Sequence, residues 1–150
     1  MPLILVTASS FGKDFPTLGE LCRSYDLEVV FNREGRKLTP EETGALLVRY
    51  RPVGLLAGTE LISREVMYQA RDCLRVIYRV GAGLDNLDLE AAASLGITVY
   101  NTPNVLTQAV AELTMGMILS GLRFIPCQDR MMRRGIWRRY QGRLLEGKAL

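Results

Sequence analysis

The segment of this 150-residue chain best equipped for chemistry is Arg79-Val80-Gly81-Ala82-Gly83-Leu84-Asp85-Asn86. Two glycines one residue apart let the backbone turn sharply and gather consecutive N–H groups into a nest suited to a carboxylate or phosphate. Arg79 adds a forked cation at its mouth. A small anionic substrate is what such a loop could hold. The same residues also read as a plain strand-to-helix turn, in which the glycines relieve steric strain and Asp88 caps a helix beginning at Leu89.

Other candidate chemistry is thinner. Thr7-Ala8-Ser9-Ser10-Phe11-Gly12-Lys13 is rich in hydroxyls, yet it lacks the first glycine of a P-loop, and Asp14 stands where Ser or Thr should follow the lysine. It reads as a turn, with a flavin-phosphate loop as the weaker alternative. A phosphoacceptor receiver domain needs acidic residues where Thr7-Ala8 and Gly58-Thr59 stand, and is excluded. The chain has no histidine, and Cys22, Cys73 and Cys127 are widely spaced, so no zinc site is expected and the cysteines read as reduced.

The elements that must position the loop follow from alternating apolar runs and helical patterns. Strands are expected at Leu3–Val6, Leu27–Phe31, Val53–Ala57, Leu74–Tyr78 and Ile97–Tyr100. Helices are expected at Thr17–Tyr25, Thr39–Tyr50, Ser63–Ala70 and Leu89–Leu95. Thr39-Pro40-Glu41-Glu42 combines a cap, a first-turn proline and early acids. This alternation predicts a flavodoxin-like α/β fold, a parallel sheet with helices on both faces and ligands beyond the carboxyl ends of its strands.

After Pro103 the alternation stops. Thr107–Leu122 reads as one long helix, apolar on more than one side and so expected to be buried. Gly116 and Ser120, one turn apart, would allow another backbone to approach. The helix either packs on its own sheet or serves a domain junction or dimer contact. Arg130–Arg143, arginine-rich around Trp137, reads as a solvated arm rather than a nucleic-acid surface. Asp129–Leu150 carries seven basic residues and two acids, so of the net +3 the rest of the chain contributes −2. No apolar run approaches the roughly 20 residues of a membrane span. The N-terminus lacks a basic leader, and a cytoplasmic location is expected.

The ordered set Gly58-Thr59-Glu60, Arg79-x-Gly-x-Gly-x-Asp-Asn-x-Asp, Gly96-Ile97-x-Val99-x-Asn-Thr-Pro and Ala111-Glu112 resembles the NAD-dependent D-2-hydroxyacid dehydrogenases, particularly the phosphoglycerate dehydrogenase-like branch. Trp137 and Leu145-x-Gly147-Lys148 are similar to that family's lead-in to its Rossmann domain. The resemblance implies that residues 1–103 are the flavodoxin-like substrate-binding domain and that residues 104–150 are a crossover helix and basic arm opening an NAD-binding domain. It implies a homodimer through Thr107–Leu122 and the following arm.

By position in the family, Gly81, Ala82 and Gly83 hold the substrate carboxylate, Arg79 and Thr59 contact substrate, and Ala82 and Thr107 touch the nicotinamide side of NAD. The partner so implied is a small anionic 2-hydroxy or 2-oxo acid. Gly58 departs from the arginine common in phosphoglycerate dehydrogenases. The family's catalytic histidine, the carboxylate that tunes it, its carbonyl-polarising arginine and its Gly-x-Gly-x-x-Gly loop all belong to the downstream domain, as do the residues that choose between NAD and NADP. The chain alone is therefore expected to be inactive, a truncated part ending near a further strand at Gly147–Leu150. The alternative is a stand-alone, non-catalytic carboxylate-binding or dimerisation module.

Overall fold

The computed structural model describes residues 1–9, 11 and 16–148, with 16–18 described by backbone alone. They form two compact units, Met1–Val105 and Leu106–Leu150. In the first unit, β1 (Leu3–Val6), α1 (Pro16–Ser24), β2 (Glu28–Phe31), α2 (Pro40–Tyr50), β3 (Gly54–Ala57), α3 (Arg64–Tyr68), β4 (Val76–Arg79), α4 (Leu89–Ser94) and β5 (Thr98–Asn101) follow in order. The strands pair in parallel in the order β2-β1-β3-β4-β5. Parallel neighbours need crossovers, and right-handed ones carry α1 to one face and α2, α3 and α4 to the other. This is the flavodoxin-like arrangement expected from the sequence.

The core lies under α2, α3 and α4. Leu5, Leu55, Ala57 and Ile77 enter it from the sheet, and Leu47, Val66, Met67, Ala91 and Ala92 from the helices. Side chains alternate across a strand, so Leu56, Val76 and Tyr78 point to the opposite face. Over β3, β4 and β5 that face is open among the described residues: Tyr78 and Tyr100 stack with ring centroids 6.0 Å apart and remain exposed. An apolar hollow of about 430 Å³ there is lined by Leu56, Val76, Tyr78 and Val80. Helical cover on both faces was expected, and on this stretch α1 does not supply it.

Element ends differ by a few residues. The helix expected at Ser63–Ala70 closes at Tyr68, because Ala70 and Arg71 turn tightly by donating to Met67 and Tyr68 three residues back. The strand expected from Leu74 begins at Val76 and runs on to Arg79. Ser10, Gly12 and Lys13 of the hydroxyl-rich loop lie outside the described residues. So do Ala149 and Leu150 of the expected further strand, while Gly147 stands in a turn at φ +74°.

In the second unit, α5 (Thr107–Leu122) has the expected bounds but buries none of its residues. The expectation of a buried helix is therefore not met within this chain: Val110, Leu113 and Met117 are 57%, 65% and 66% exposed. Phe124, at φ +56°, breaks the helix, and α6 (Ile125–Arg133) follows with a proline in its first turn. The arginine-rich arm thus begins as helix, held by an Asp129–Arg133 ion pair at 2.9 Å, before losing regular structure around the exposed Trp137. No single described helix is long and apolar enough to cross a membrane; α5 and α6 reach that only as a pair bent by 64°.

The opening of α2 carries a pH dependence. Thr39 Oγ1 accepts from the Glu42 N–H and the Glu42 carboxylate accepts from the Thr39 N–H, a reciprocal capping box. The Arg36 guanidinium, hydrogen-bonded to both Glu42 oxygens, and then the Thr39 N–H hold the Glu42 carboxyl at about 2, below its ordinary 4.5. A depressed folded-state pKa contributes stability that is complete above the unfolded value and is lost as pH falls towards the folded one. The thermal midpoint is therefore expected to fall from about pH 4.5 to 2, and Glu42→Gln should remove part of that slope in an acid series followed by circular dichroism. An identical slope in the variant would show that the cap does not titrate with folding.

Candidate functional site

The carboxyl ends of β1, β3, β4 and β5 come together at one edge of the sheet. Ala57 pairs with Arg79, and Arg79 with Asn101, so the three segments that leave these strands start side by side. The first is Gly58-Thr59-Glu60, the second Val80–Asn86 and the third Thr102 onwards. The Val80 N–H continues the ladder by donating to the Ala57 carbonyl at 2.8 Å.

The glycine loop is held by its carbonyls. Gly81 O accepts from the Thr102 N–H at 3.0 Å, and Ala82 O accepts from Asn101 Nδ2 at 2.7 Å. The N–H groups of Gly81, Ala82 and Gly83 donate to no acceptor among the described residues. Gly81 is buried, whereas Ala82 and Gly83 are exposed. With two loop carbonyls fixed by β5, three successive N–H donors are left over, which is what an anion-binding nest requires.

Arg79 lies back over this loop. Its Nη1 donates to Val80 O at 2.6 Å, and the guanidinium occupies the place where a Cβ on Gly81 would stand. Its Nε is buried without a hydrogen-bond partner. A buried, unsatisfied donor on a cation beside three available N–H groups is ready for an anionic acceptor. Arg79, Gly81, Ala82 and Gly83 are thus brought together as the sequence suggested.

Two residues without an expected role, Glu60 and Asn86, organise the neighbouring turn. Glu60 is 1% exposed; its Oε1 accepts from the Gly58 N–H at 2.9 Å and from the Thr7 hydroxyl. Asn86 Nδ2 donates to Glu60 O at 2.6 Å and to Gly58 O at 3.2 Å, tying this turn to the far end of the glycine loop. Asn86 O in turn accepts from the Ile62 N–H. The available signal was a run of small polar residues at the ends of apolar strands, and Asn86 and Asn101 were visible only as motif letters. Thr59 is exposed on the turn, and its hydroxyl makes no hydrogen bond among the described residues.

Thr107, the other sequence-predicted contact to NAD, is the first residue of α5 in the second unit and is exposed. A dinucleotide pyrophosphate needs Gly-x-Gly-x-x-Gly running straight from strand into helix. Here the third glycine position is Asn86, whose side chain is spent on two carbonyls, and α4 begins only at Leu89. Asp88 instead caps α4 by accepting from the Ala91 N–H at 2.8 Å. The described residues of this loop therefore do not fit the pyrophosphate of NAD. They also contain no group of three or more side chains suited to a metal ion.

Gly81 carries the strictest demand on residue type. Its φ of +144° is close to glycine-only backbone, and a Cβ would displace Arg79. Gly81→Ala should cost about 1–3 kcal/mol in urea unfolding. Gly83→Ala should cost far less, since its Cβ would meet only the movable Asp85 carboxylate at 3.1 Å. Equal costs for the two would refute this assignment of strain.

Comparison with known proteins places the chain in a family. The family model for the catalytic domain of D-isomer specific 2-hydroxyacid dehydrogenases matches residues 7–143. D-3-phosphoglycerate dehydrogenase of Methanocaldococcus jannaschii is 42% identical over 118 residues, which are 75% of this chain and 22% of that protein. Glyoxylate reductase of Aeropyrum pernix is 36% identical over 138 residues, 91% of this chain and 38% of that one. Among solved structures, the NAD+-bound 3-phosphoglycerate dehydrogenase of Entamoeba histolytica superposes with a TM-score of 0.74 at 27% identity, covering 96% of this chain and 43% of that chain. The chain thus spans between 22% and 43% of the length of these relatives. Fold, glycine loop and comparisons converge: the chain belongs to the D-isomer specific 2-hydroxyacid dehydrogenase family, within its phosphoglycerate dehydrogenase-like branch, and carries catalytic-domain sequence of that family.

Proposed function

We propose that this chain is the substrate-holding part of an NAD-dependent oxidoreductase that interconverts a D-2-hydroxy acid and its 2-oxo acid. The observation that carries the reading is the pinned loop with three N–H groups to spare beneath Arg79. The amides of Gly81, Ala82 and Gly83 take one substrate carboxylate, Arg79 pairs with the same anion, and Thr59 offers a hydroxyl from the adjacent turn. Ala82 and Thr107 contact the nicotinamide side of NAD, whose pyrophosphate is held by residues outside this chain. With no histidine present, the proton and hydride steps also fall to groups outside it.

Joining the chain to a dinucleotide-binding domain of the family is expected to give NAD reduction with at least one acid from a panel of 2-hydroxy acids. Arg79→Ala in that protein should raise KM by about tenfold or more, as loss of a charge-assisted pair does. A folded, joined protein that oxidises none of the panel would overturn the reading.

The exposed apolar surface of α5 supports a homodimer through Thr107–Leu122 and the arm that follows. A helix apolar all round is a helix meant to be covered, and Gly116 has open space around it for a close backbone approach. Sedimentation should show self-association of the chain, with Leu113→Glu and Met117→Glu shifting it to monomer. A monomeric parent at high concentration would refute this. The same surface also favours the second reading, a non-catalytic dimerisation module, which predicts the dimer without turnover in the joined protein.

A further inference from the structure

We infer that Glu60 is a positioning residue for this site: its buried carboxylate locks the Gly58-Thr59-Glu60 turn so that Thr59 is presented beside the glycine loop. The inference rests on the substrate-holding reading above. Glu60 is 1% exposed and has no lysine or arginine partner among the described residues, since none of the ion pairs includes it. A buried carboxylate without a cation is costly and persists where its hydrogen bonds are made. Here one oxygen serves the Gly58 N–H two residues back and the Thr7 hydroxyl on the neighbouring strand end.

The turn is clamped from its other side as well, because the carbonyls of Gly58 and Glu60 both accept from Asn86. Both neighbours of Thr59 are therefore fixed, one by the carboxylate and one by Asn86, while the Thr59 side chain between them stays exposed and unbonded among the described residues. Asn86 belongs to the segment that ends the glycine loop, so the turn and the anion receptor are held as one frame. The lock also explains why position 58 is glycine. A Cβ there would stand 2.9 Å from Glu60 Oε2 and 3.0 Å from Ala8 Cα, so any larger residue must first displace the carboxylate.

The test uses the chain joined to its dinucleotide-binding domain. Glu60→Ala should raise KM for the 2-oxo acid about tenfold with kcat within about twofold, and Glu60→Gln, which keeps the Oε1 acceptor, should return KM to within about threefold of the parent. A loss confined to kcat, or equal KM in the alanine and parent proteins, would overturn the inference, as would a glutamine variant no better than alanine. If the joined parent oxidises no acid, the functional reading has failed and the lock is judged on the 150-residue chain alone. There, Glu60→Ala should speed amide exchange at Gly58 at least tenfold, and unchanged exchange would overturn the lock. Should Glu60→Ala fail to fold, Thr7→Val, which deletes only the hydroxyl donor, should move KM and Gly58 exchange in the same direction by a smaller factor, and no movement in either would count against the lock.

Discussion

The pairing of Ala57 with Arg79 and of Arg79 with Asn101 is the constraint on which the site depends. Parallel strands in one register end at one level, so every loop that leaves them begins at the same edge. From that register the rest follows by hydrogen bonding. Asn101, the last residue of β5, reaches the Ala82 carbonyl, and the next residue's N–H reaches the Gly81 carbonyl. A one-residue slip of β5 would turn Asn101 to the other face and leave the loop without its pins. The placement of the glycine loop is thus a consequence of sheet register before it is a property of glycines.

What the glycines contribute is tolerance of the resulting backbone. Gly81 takes a φ of +144° because its carbonyl is drawn to β5 while Val80 is still held to β3, and because Arg79 covers it. The carbonyls of Gly81 and Ala82 are taken, the loop amides donate to no acceptor among the described residues, and Arg79 Nε is buried without a partner. An anion answers both conditions together. The side chains around the loop stabilise that frame, and the loop itself carries one acid, Asp85, close to Gly83.

Much of this was legible in the sequence. Short β-rich runs alternating with helical periods announced a parallel sheet, the Thr-Pro-Glu-Glu opening announced the cap of α2, and Gly-x-Gly after an apolar strand announced a sharp turn there. Glu60 was not legible, because an acid after a strand reads as solvated until its neighbours are known, and those neighbours lie 53 residues away at Thr7, just past β1, and 26 residues away at Asn86. Asn86 and Asn101 were invisible as pins for the same reason. The surfaces were legible only in part, for a helix serving a domain junction would expose Val110, Leu113 and Met117, as α5 does. An all-apolar α5 reads as buried, and a sheet strand such as β4 reads as covered on both faces, yet Met117 and Tyr78 are exposed. Periodicity reports which faces need cover and carries no information about whether the same chain provides it.

Those uncovered surfaces and the site point to one division of labour. The first unit closes its core under α2, α3 and α4 without help, since Leu5, Leu47, Leu55, Met67 and Ile77 are fully buried there. It can therefore hold the glycine loop rigid by itself. The second unit buries none of the residues of its two helices. Rigid recognition lies where the core is closed, and the surfaces left to be joined lie where it is not.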